Sequence, residues 1–242
     1  MKILILAAGY GTRLYPLVKD TPKAFLDIQD KPLIAHVIDK IKIAPDLNEF
    51  LVVTNNKFFK AFDEWAKRQA FNVRVINDGT ETPEQRLGSI GDIQFVLKQH
   101  PFSDDLLVVG SDNLFNFNLE DFFKFAQKDK NAATIGLYDI QDISHAHQFG
   151  VVSIDKNKKI ILFEEKPLHP KSTLIAMCFY YFPKSTLPFI AQYIKEEGKA
   201  DRAGDYIKWV AEKHGAYGFT FSGKWYDIGS IEAYHDAQKN FI

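Results

Sequence analysis

The chain has 242 residues, with 30 Lys and Arg against 31 Asp and Glu and a formal net charge of −1 at pH 7. It therefore has no basic surplus to lay over a nucleic acid, and any polyanion it binds must be held locally. Hydrophobic residues make up 46% of it, enough to bury a substantial core, and a lone cysteine excludes a disulfide framework and a cysteine metal site.

KILIL, at residues 2–6, reads as a first strand; it is too short for a secretory apolar region, and no window reaches a membrane span. The expectation is a soluble cytoplasmic protein. Further strands are expected at EFLVVT (49–54), NVRVIN (72–77), DLLVVG (105–110) and AATIGLY (132–138). Between them PLIAHVIDKIKI, KFFKAFDEWAKRQ, IGDIQFVLKQ and LEDFFKFAQK carry apolar residues three and four apart, the helical period. This alternation implies the α/β class, a Rossmann-like, mostly parallel sheet flanked by helices, with ligands beyond the carboxyl ends of the strands.

After residue 138 the rhythm changes. FGVVSID, DKNKK and IILFEEK read as a hairpin and TLIAMCFYYF as a strand, with Cys178 in it a buried, inert thiol. Helical segments at 183–197 and 204–214 follow, then YGFTF, GKWYDIG and a last helix capped by Ser230. The expected organisation is one domain, with residues 1–138 forming a core and 139–242 a smaller β/α lobe packed on it. His145 and His147 lie in what reads as a loop, with no third ligand at recognisable spacing, and are taken as solvated.

The stretch LAAGYGTRLYPLVKDTPKAFL follows the first strand. Gly9-x-Gly11 lacks the third glycine of a dinucleotide turn, since Leu14 stands there, and no G-K-[ST] follows to make a P-loop. Two glycines alone also suit a plain connecting loop. Arg13 and Lys23 add to them: backbone N–H groups in a glycine loop form an anion-binding concavity, and two cations at its rim concentrate positive charge in a chain that has none to spare.

LAAGYGTRLYP…TPKAFL…KPLI resembles the signature of the sugar-phosphate nucleotidyltransferases, or nucleotide-sugar pyrophosphorylases. PEQRLGSIGDI resembles the E-x-P-L-G-T-A-G-A segment, VVGSDNLF the strand-end G-D-N, FGVV the Y/F-G-V-V strand, FEEKP the E-K-P turn and WYDIGS the W-x-D-x-G turn, all in family order. The resemblance implies an enzyme of the nucleotide-diphospho-sugar transferase fold that joins a nucleoside triphosphate to a sugar 1-phosphate and releases pyrophosphate. On this reading residues 1–138 bind nucleotide and 139–242 form the sugar-phosphate lobe.

By that resemblance Arg13 contacts the departing phosphates, Lys23 bridges the α-phosphate and the incoming phosphate, and Asp112 with Asp227 holds Mg²⁺. Leu6, Ala8, Gly9, Gly11, Thr12, Gln85, Gly88 and Ser89 join Arg13, Lys23 and Asp112 around the nucleotide. Asn113, Gly150, Glu165 and Lys166 meet the sugar phosphate. Gly110-Ser111-Asp112-Asn113 has one residue more than the usual G-D-N, which puts the local turn in question. Two other readings stay open: a cytidylyltransferase for phosphocholine or another small phosphate alcohol, caged by Tyr180, Tyr181, Trp225 or Tyr226, and a non-catalytic subunit that binds nucleotide sugar. The chain is expected to lack the β-helix and extra C-terminal helices of some relatives, hence acyltransferase activity and strong feedback control. Neither a nucleic acid nor a membrane is expected as partner, and monomer and homodimer both remain open.

Overall fold

The computed structural model describes residues 1–241. In chain order it has β1 (Lys2–Leu6), the short pair β2 (Asp27–Ile28) and β3 (Lys31–Pro32), α1 (Leu33–Ile41), β4 (Glu49–Thr54), α2 (Asn56–Ala66), β5 (Val73–Asn77) and α3 (Ser89–Gln99). Next come β6 (Leu106–Gly110), β7 (Asn113–Phe115), α4 (Glu120–Ala126), β8 (Ala133–Asp139), α5 (Ile143–Ala146), β9 (Gly150–Ile154), β10 (Ile160–Glu165) and β11 (Leu174–Phe182). The chain closes with α6 (Pro188–Glu197), α7 (Ala203–Lys213), β12 (Ala216–Phe221), β13 (Trp225–Asp227) and α8 (Ile231–Asn240). The class is α/β, as the alternation implied.

Two compact units divide the chain: Met1–Leu87 with Val109–Glu120 and the residues from Gly223 onward, and Gly88–Val108 with Asp121–Ser222. The reading from sequence cut the chain once, near residue 138. The observed units interleave instead, because the chain leaves the first unit and returns to it twice. β7 and β13 pair antiparallel there, with Asn113 opposite Asp227 and Phe115 opposite Trp225.

In the first unit β1, β4 and β5 pair in that order and in parallel, Leu4 beside Leu51 and Leu51 beside Arg74. All six residues of β4 are buried, which explains its unbroken apolar run: a parallel strand is covered on both faces. Leu33, Ile34, Val37, Ile38 and Ile41 form the buried stripe of α1, and Phe58, Phe62 and Trp65 that of α2. The Asn55 side chain caps α2 by accepting from the Phe58 N–H at 3.1 Å. Ser230 caps α8 in the same way, accepting from Ala233 N–H at 3.2 Å, as expected. That helix closes a core of Ile28, Leu33, Leu114, Ile228, Ala237 and Phe241, and Gln238 and Tyr234 donate to the Asp27 carbonyl.

Glu49, on buried β4, accepts from Lys2 Nζ at 2.6 Å and Arg74 Nε at 2.9 Å. Burial pushes its carboxyl up, but the hydrogen bonds and charges of the two cations outweigh that and hold it below the ordinary carboxylate range. Glu49→Gln is therefore expected to cost about 1–3 kcal/mol at pH 7 by unpairing Lys2 and Arg74. A group whose folded pKa is depressed stabilises above its unfolded value, near 4.3 for Glu, and loses that contribution as pH falls through the folded value. Urea unfolding of both proteins across pH 7 to 3 should show the gap closing at the acid end; a constant gap would contradict the assignment.

The second unit holds strands in the order β10-β9-β11-β8, with β12 beside β8. Here the expectation of a parallel sheet through residue 138 fails: β8 runs antiparallel to β11, and only β12 lies parallel to it. Both partners come from later in the chain, so β8 is not the product of the preceding strand-helix crossover. Its core is aromatic, with Phe122 within 5.0–5.6 Å of Phe179, Phe219 and Phe221. Cys178 is only half-buried, a correction to the expected buried thiol, because it alternates with the fully buried Met177 and Phe179 and so points to the other face of β11. His145 and His147 are exposed as expected, although the segment is a one-turn helix, α5, rather than a loop: Asp142 caps it and sits 2.7 Å from His145 Nδ1.

Candidate active site

β1 delivers the glycine loop. Ala7 N–H bonds to Val53 O at 2.9 Å, and Asn55 Nδ2 donates to Ala8 O at 2.9 Å, so the loop is tied to the end of β4 before it turns. Gly11 then adopts φ +64°, and a Cβ there would lie 2.8 Å from Val18 Cγ2. Only glycine meets both conditions without strain. It starts a single 3-10 turn, Thr12–Leu14, whose Leu14 is buried, leaving Thr12 and Arg13 exposed.

The prolines of the stretch also have a use. Pro22, extended at ψ 139°, leads into a second 3-10 turn, Lys23–Phe25. Ala24 is buried, and Phe25 stacks obliquely against Phe62 and Trp65 at 4.6 and 6.0 Å. With the turn anchored by its neighbours, Lys23 Nζ reaches Asp112 Oδ2 at 2.6 Å. Burial pushes the Asp112 carboxyl up, but Lys23, and more weakly Arg13, hold it below the ordinary carboxylate range.

Ser111, the extra residue of G-S-D-N, is buried and donates its N–H to Leu6 O at 3.0 Å, continuing the strand ladder by one step. Asp112 therefore occupies the turn between β6 and β7. Ile228 N–H bonds to Asp112 O at 3.0 Å, and Trp225 Nε1 donates to Asn113 Oδ1 at 2.8 Å, which locks the W-Y-D-I-G segment onto the strand end. Asp227 lies directly across from Asn113. Gly229 separates Asp227 from Arg13: a Cβ at that position would be 3.3 Å from Arg13 Nη2 and 3.4 Å from Asp227 Oδ2. A Cβ there would touch both side chains and leave little room for anything larger.

The first unit thus brings together Gly9, Gly11, Thr12, Arg13 and Lys23 around a cavity of about 220 Å³, with Asp112, Asn113 and Asp227 joined to it through the Lys23 ion pair and the β7–β13 ladder. Leu6 and Ala8 form the strand end beneath. Gln85, also in this unit, closes a local turn by accepting from Glu81 N–H at 2.9 Å.

The remaining predicted residues belong to the second unit. Gly88 has φ +79°, and the close approach it permits is made by main chain: a Cβ would stand 2.2 Å from Asp201 Cα. Ser89 N–H and hydroxyl donate to Asp201 O at 2.8 and 2.9 Å, and the Ile90 and Gly91 N–H groups both reach Ala200 O at 3.0 Å. The first N–H groups of α3 are therefore satisfied by a neighbouring loop.

Gly150 and Glu165 face each other across the β9–β10 ladder, and Lys166 N–H bonds to Phe149 O at 3.0 Å. Glu165 Oε2 lies where a Gly204 Cβ would be, 1.9 Å from that point, so its carboxylate packs on the first turn of α7. Burial pushes the Glu165 carboxyl up; Lys166 and Arg202 oppose this and Asp205 adds to it.

Several contributors escaped the sequence reading. Asn55 looks like an ordinary helix cap, and its second bond to Ala8 O is invisible without the fold. Gly204 and Gly229 sit in no glycine-rich pattern. Arg86 lines the same cavity as Arg13 and Lys23, and its place beside the E-x-P-L-G-like segment was the one available signal. Among the described residues no three His, Cys, Asp or Glu gather as a metal cluster, and no helix is long and apolar enough to cross a membrane.

A glycine loop at a strand end, cationic on one side and with two aspartates nearby, is an arrangement suited to holding phosphate groups. The nucleotidyl transferase family model matches residues 2–242, and the chain belongs to that family; the resemblance to sugar-phosphate nucleotidyltransferases holds. Among curated proteins it is similar to the bifunctional protein GlmU of Methanocaldococcus jannaschii, 30% identical over 235 residues that make up 95% of this chain and 51% of that one. The corresponding protein of Methanococcus aeolicus is 29% identical over 244 residues, 100% of this chain and 54% of its own. The chain spans about half the length of these curated relatives.

Among solved structures, a protein assigned as a glucose-1-phosphate thymidylyltransferase from Bacillus anthracis, determined with sucrose, has TM-score 0.84 at 24% identity, covering 99% of this chain and 94% of that one. A UDP-glucose pyrophosphorylase complexed with UDP-glucose gives TM-score 0.82 at 20% identity, covering 99% and 97%. These two likenesses are of fold.

Proposed function

We propose that the chain transfers a nucleotidyl group from a nucleoside triphosphate to a sugar 1-phosphate, releasing pyrophosphate. The observation that carries this is the convergence of Arg13, Lys23 and the glycine loop on one small cavity, with Asp112 fixed to Lys23. A phosphate monoester has its second pKa near 6, so the attacking oxygen is already ionised at neutral pH and no general base is needed. It attacks the α-phosphorus; the bond to the bridging oxygen of the β-phosphate breaks, and pyrophosphate leaves with that electron pair.

The protein's part is positioning and charge neutralisation. Lys23 meets the α-phosphate and the incoming phosphate, Arg13 the departing pyrophosphate, and main-chain N–H groups from Gly9 to Thr12 fill the remaining acceptor positions. Gln85 serves the base, and Asn113, Gly150, Glu165 and Lys166 the sugar phosphate. Asp112 and Asp227 suit Mg²⁺ by donor type: the ion takes one or two carboxylates and completes its shell with water and phosphate oxygens, and these two residues flank neighbouring turns. When bound it adds positive charge to the phosphoryl oxygens.

The phosphocholine reading is weakened by packing. Tyr180 and Tyr181 are buried, and Tyr181 OH donates to Asp105 Oδ2 at 2.6 Å, so neither lines a cage. A non-catalytic subunit would have no need to keep Lys23 ion-paired with Asp112. We place the reaction in the cytoplasm. A matrix of the five common triphosphates against a panel of sugar 1-phosphates and phosphocholine, with Mg²⁺ and scored by pyrophosphate, tests the proposal. At least one sugar phosphate should give turnover; activity with phosphocholine alone, or with no pair at all, would overturn it.

A further inference from the structure

Gly9 is the least constrained point of the glycine loop. It is exposed, and a Cβ built on it would meet nothing within 4 Å, so neither a side chain nor close packing sets its conformation. It nevertheless lines the cavity beside Tyr10 and Gly11. Its order has to come from its two neighbours, and a buried polar side chain holds each of them.

On one side Asn55, with no exposed surface, accepts the Phe58 N–H through Oδ1 at 3.1 Å and donates through Nδ2 to Ala8 O at 2.9 Å. Capping α2 needs only the oxygen, which serine or aspartate would supply as well; the donor is what asparagine adds, and it goes to the carbonyl just before Gly9. On the other side the buried Tyr10 donates its hydroxyl to Thr80 Oγ1 at 3.3 Å, and the Thr80 hydroxyl donates onward to Asp78 Oδ1 at 2.8 Å. The two anchors form one block, because Asn56 N–H bonds to Thr80 O and Asp78 N–H to Thr54 O, both at 2.9 Å. Gly9 is thus suspended between two points of a single cross-linked support. Ordering one free backbone residue at the moment of binding weakens affinity by about 5- to 30-fold, and a loop ordered in advance avoids that loss.

We infer that Asn55 is a positioning residue: together with the Tyr10–Thr80 bond it holds Ala8–Gly11 in the conformation that receives the triphosphate before any ligand arrives. The inference takes the identity of the ligand from the nucleotidyl-transfer reading. Three variants of the full chain test it. Asn55→Ser keeps a capping hydroxyl on a shorter side chain, Asn55→Asp keeps the shape and the cap but turns a carboxylate oxygen toward Ala8 O, and Tyr10→Phe deletes the second tether alone. Backbone order parameters of Gly9, Tyr10 and Gly11 from NMR relaxation are measured without ligand, with the urea midpoint and both KM values for the best substrate pair beside them. The parent should show values near those of rigid backbone, about 0.85, and Asn55→Ser values falling toward about 0.6. KM for the triphosphate should rise about 5- to 30-fold in the Asn55 variants and less in Tyr10→Phe, with KM for the sugar phosphate within twofold of the parent. Unchanged order parameters, a triphosphate KM within twofold despite a loosened loop, or an equal rise in both KM values would overturn it. Should the buried carboxylate of Asn55→Asp prevent folding, the other two variants decide. If the parent turns over no substrate pair, the functional reading falls on its own, and the order parameters still decide whether Asn55 holds the loop.

Discussion

Lys23→Ala is expected to lower turnover by roughly 10²-fold or more, the usual consequence of deleting one contact made to charge that develops in the transition state. Lys23 sits on a turn pinned by Ala24 and Phe25, so its ammonium is aimed before substrate arrives and pays little ordering entropy on reaction. The substitution also leaves Asp112 without its 2.6 Å partner, so a fall in stability is expected beside the fall in rate. Turnover and urea midpoint must be measured together: a folded variant with unchanged turnover would remove Lys23 from the chemistry, whereas lost rate at a nearly native midpoint supports the assigned role.

Asp112→Asn is expected to remove most Mg²⁺-dependent activity, again by at least about 10²-fold, and to shift the Mg²⁺ concentration that restores half of the residual rate upward. Asparagine keeps the shape of the turn, including the main-chain bond from Ile228 N–H to Asp112 O, and changes only the charge. Normal activity at ordinary Mg²⁺ would refute the metal role. Because Lys23 and Asp112 are in direct contact, the double variant should lose little more than the worse single one; full multiplicativity would mean that the two act independently.

How much of this could be read beforehand differs by element. β1 and β4 announce themselves because parallel strands covered on both faces need unbroken apolar runs, while β5, last in the sheet order, shows through its β-branched residues alone. α1 and α2 do so because their buried residues recur at three and four. β7 hides within VVGSDNLF, since three residues show no period of their own and the pairing partner, β13, is more than a hundred positions away. The direction of β8 was misread for a related reason: strand polarity depends on which later segment arrives beside it. That Arg13 and Lys23 come together at the glycine loop was legible from the charges beside the glycines, and Asp112 beside them from the resemblance of its segment. Asn55 and Gly204 were not, since one is a cap that doubles as a tether and the other is defined only by the carboxylate packed on it. Ser111 answers the question its insertion raised, because it adds one rung to the ladder and leaves Asp112 at the turn.

The interleaving of the two units has a consequence for synthesis. Arg13 and Lys23 are made first, Asp112 about ninety residues after Lys23, and Asp227 and Gly229 more than a hundred residues after that. At about 5–20 residues per second, the glycine loop waits on the order of ten seconds or more for its final wall. A nascent chain that has not yet reached Gly229 therefore carries the two early cations without Asp227, and the wall that β13 adds closes beside the glycine loop only once that strand has been made.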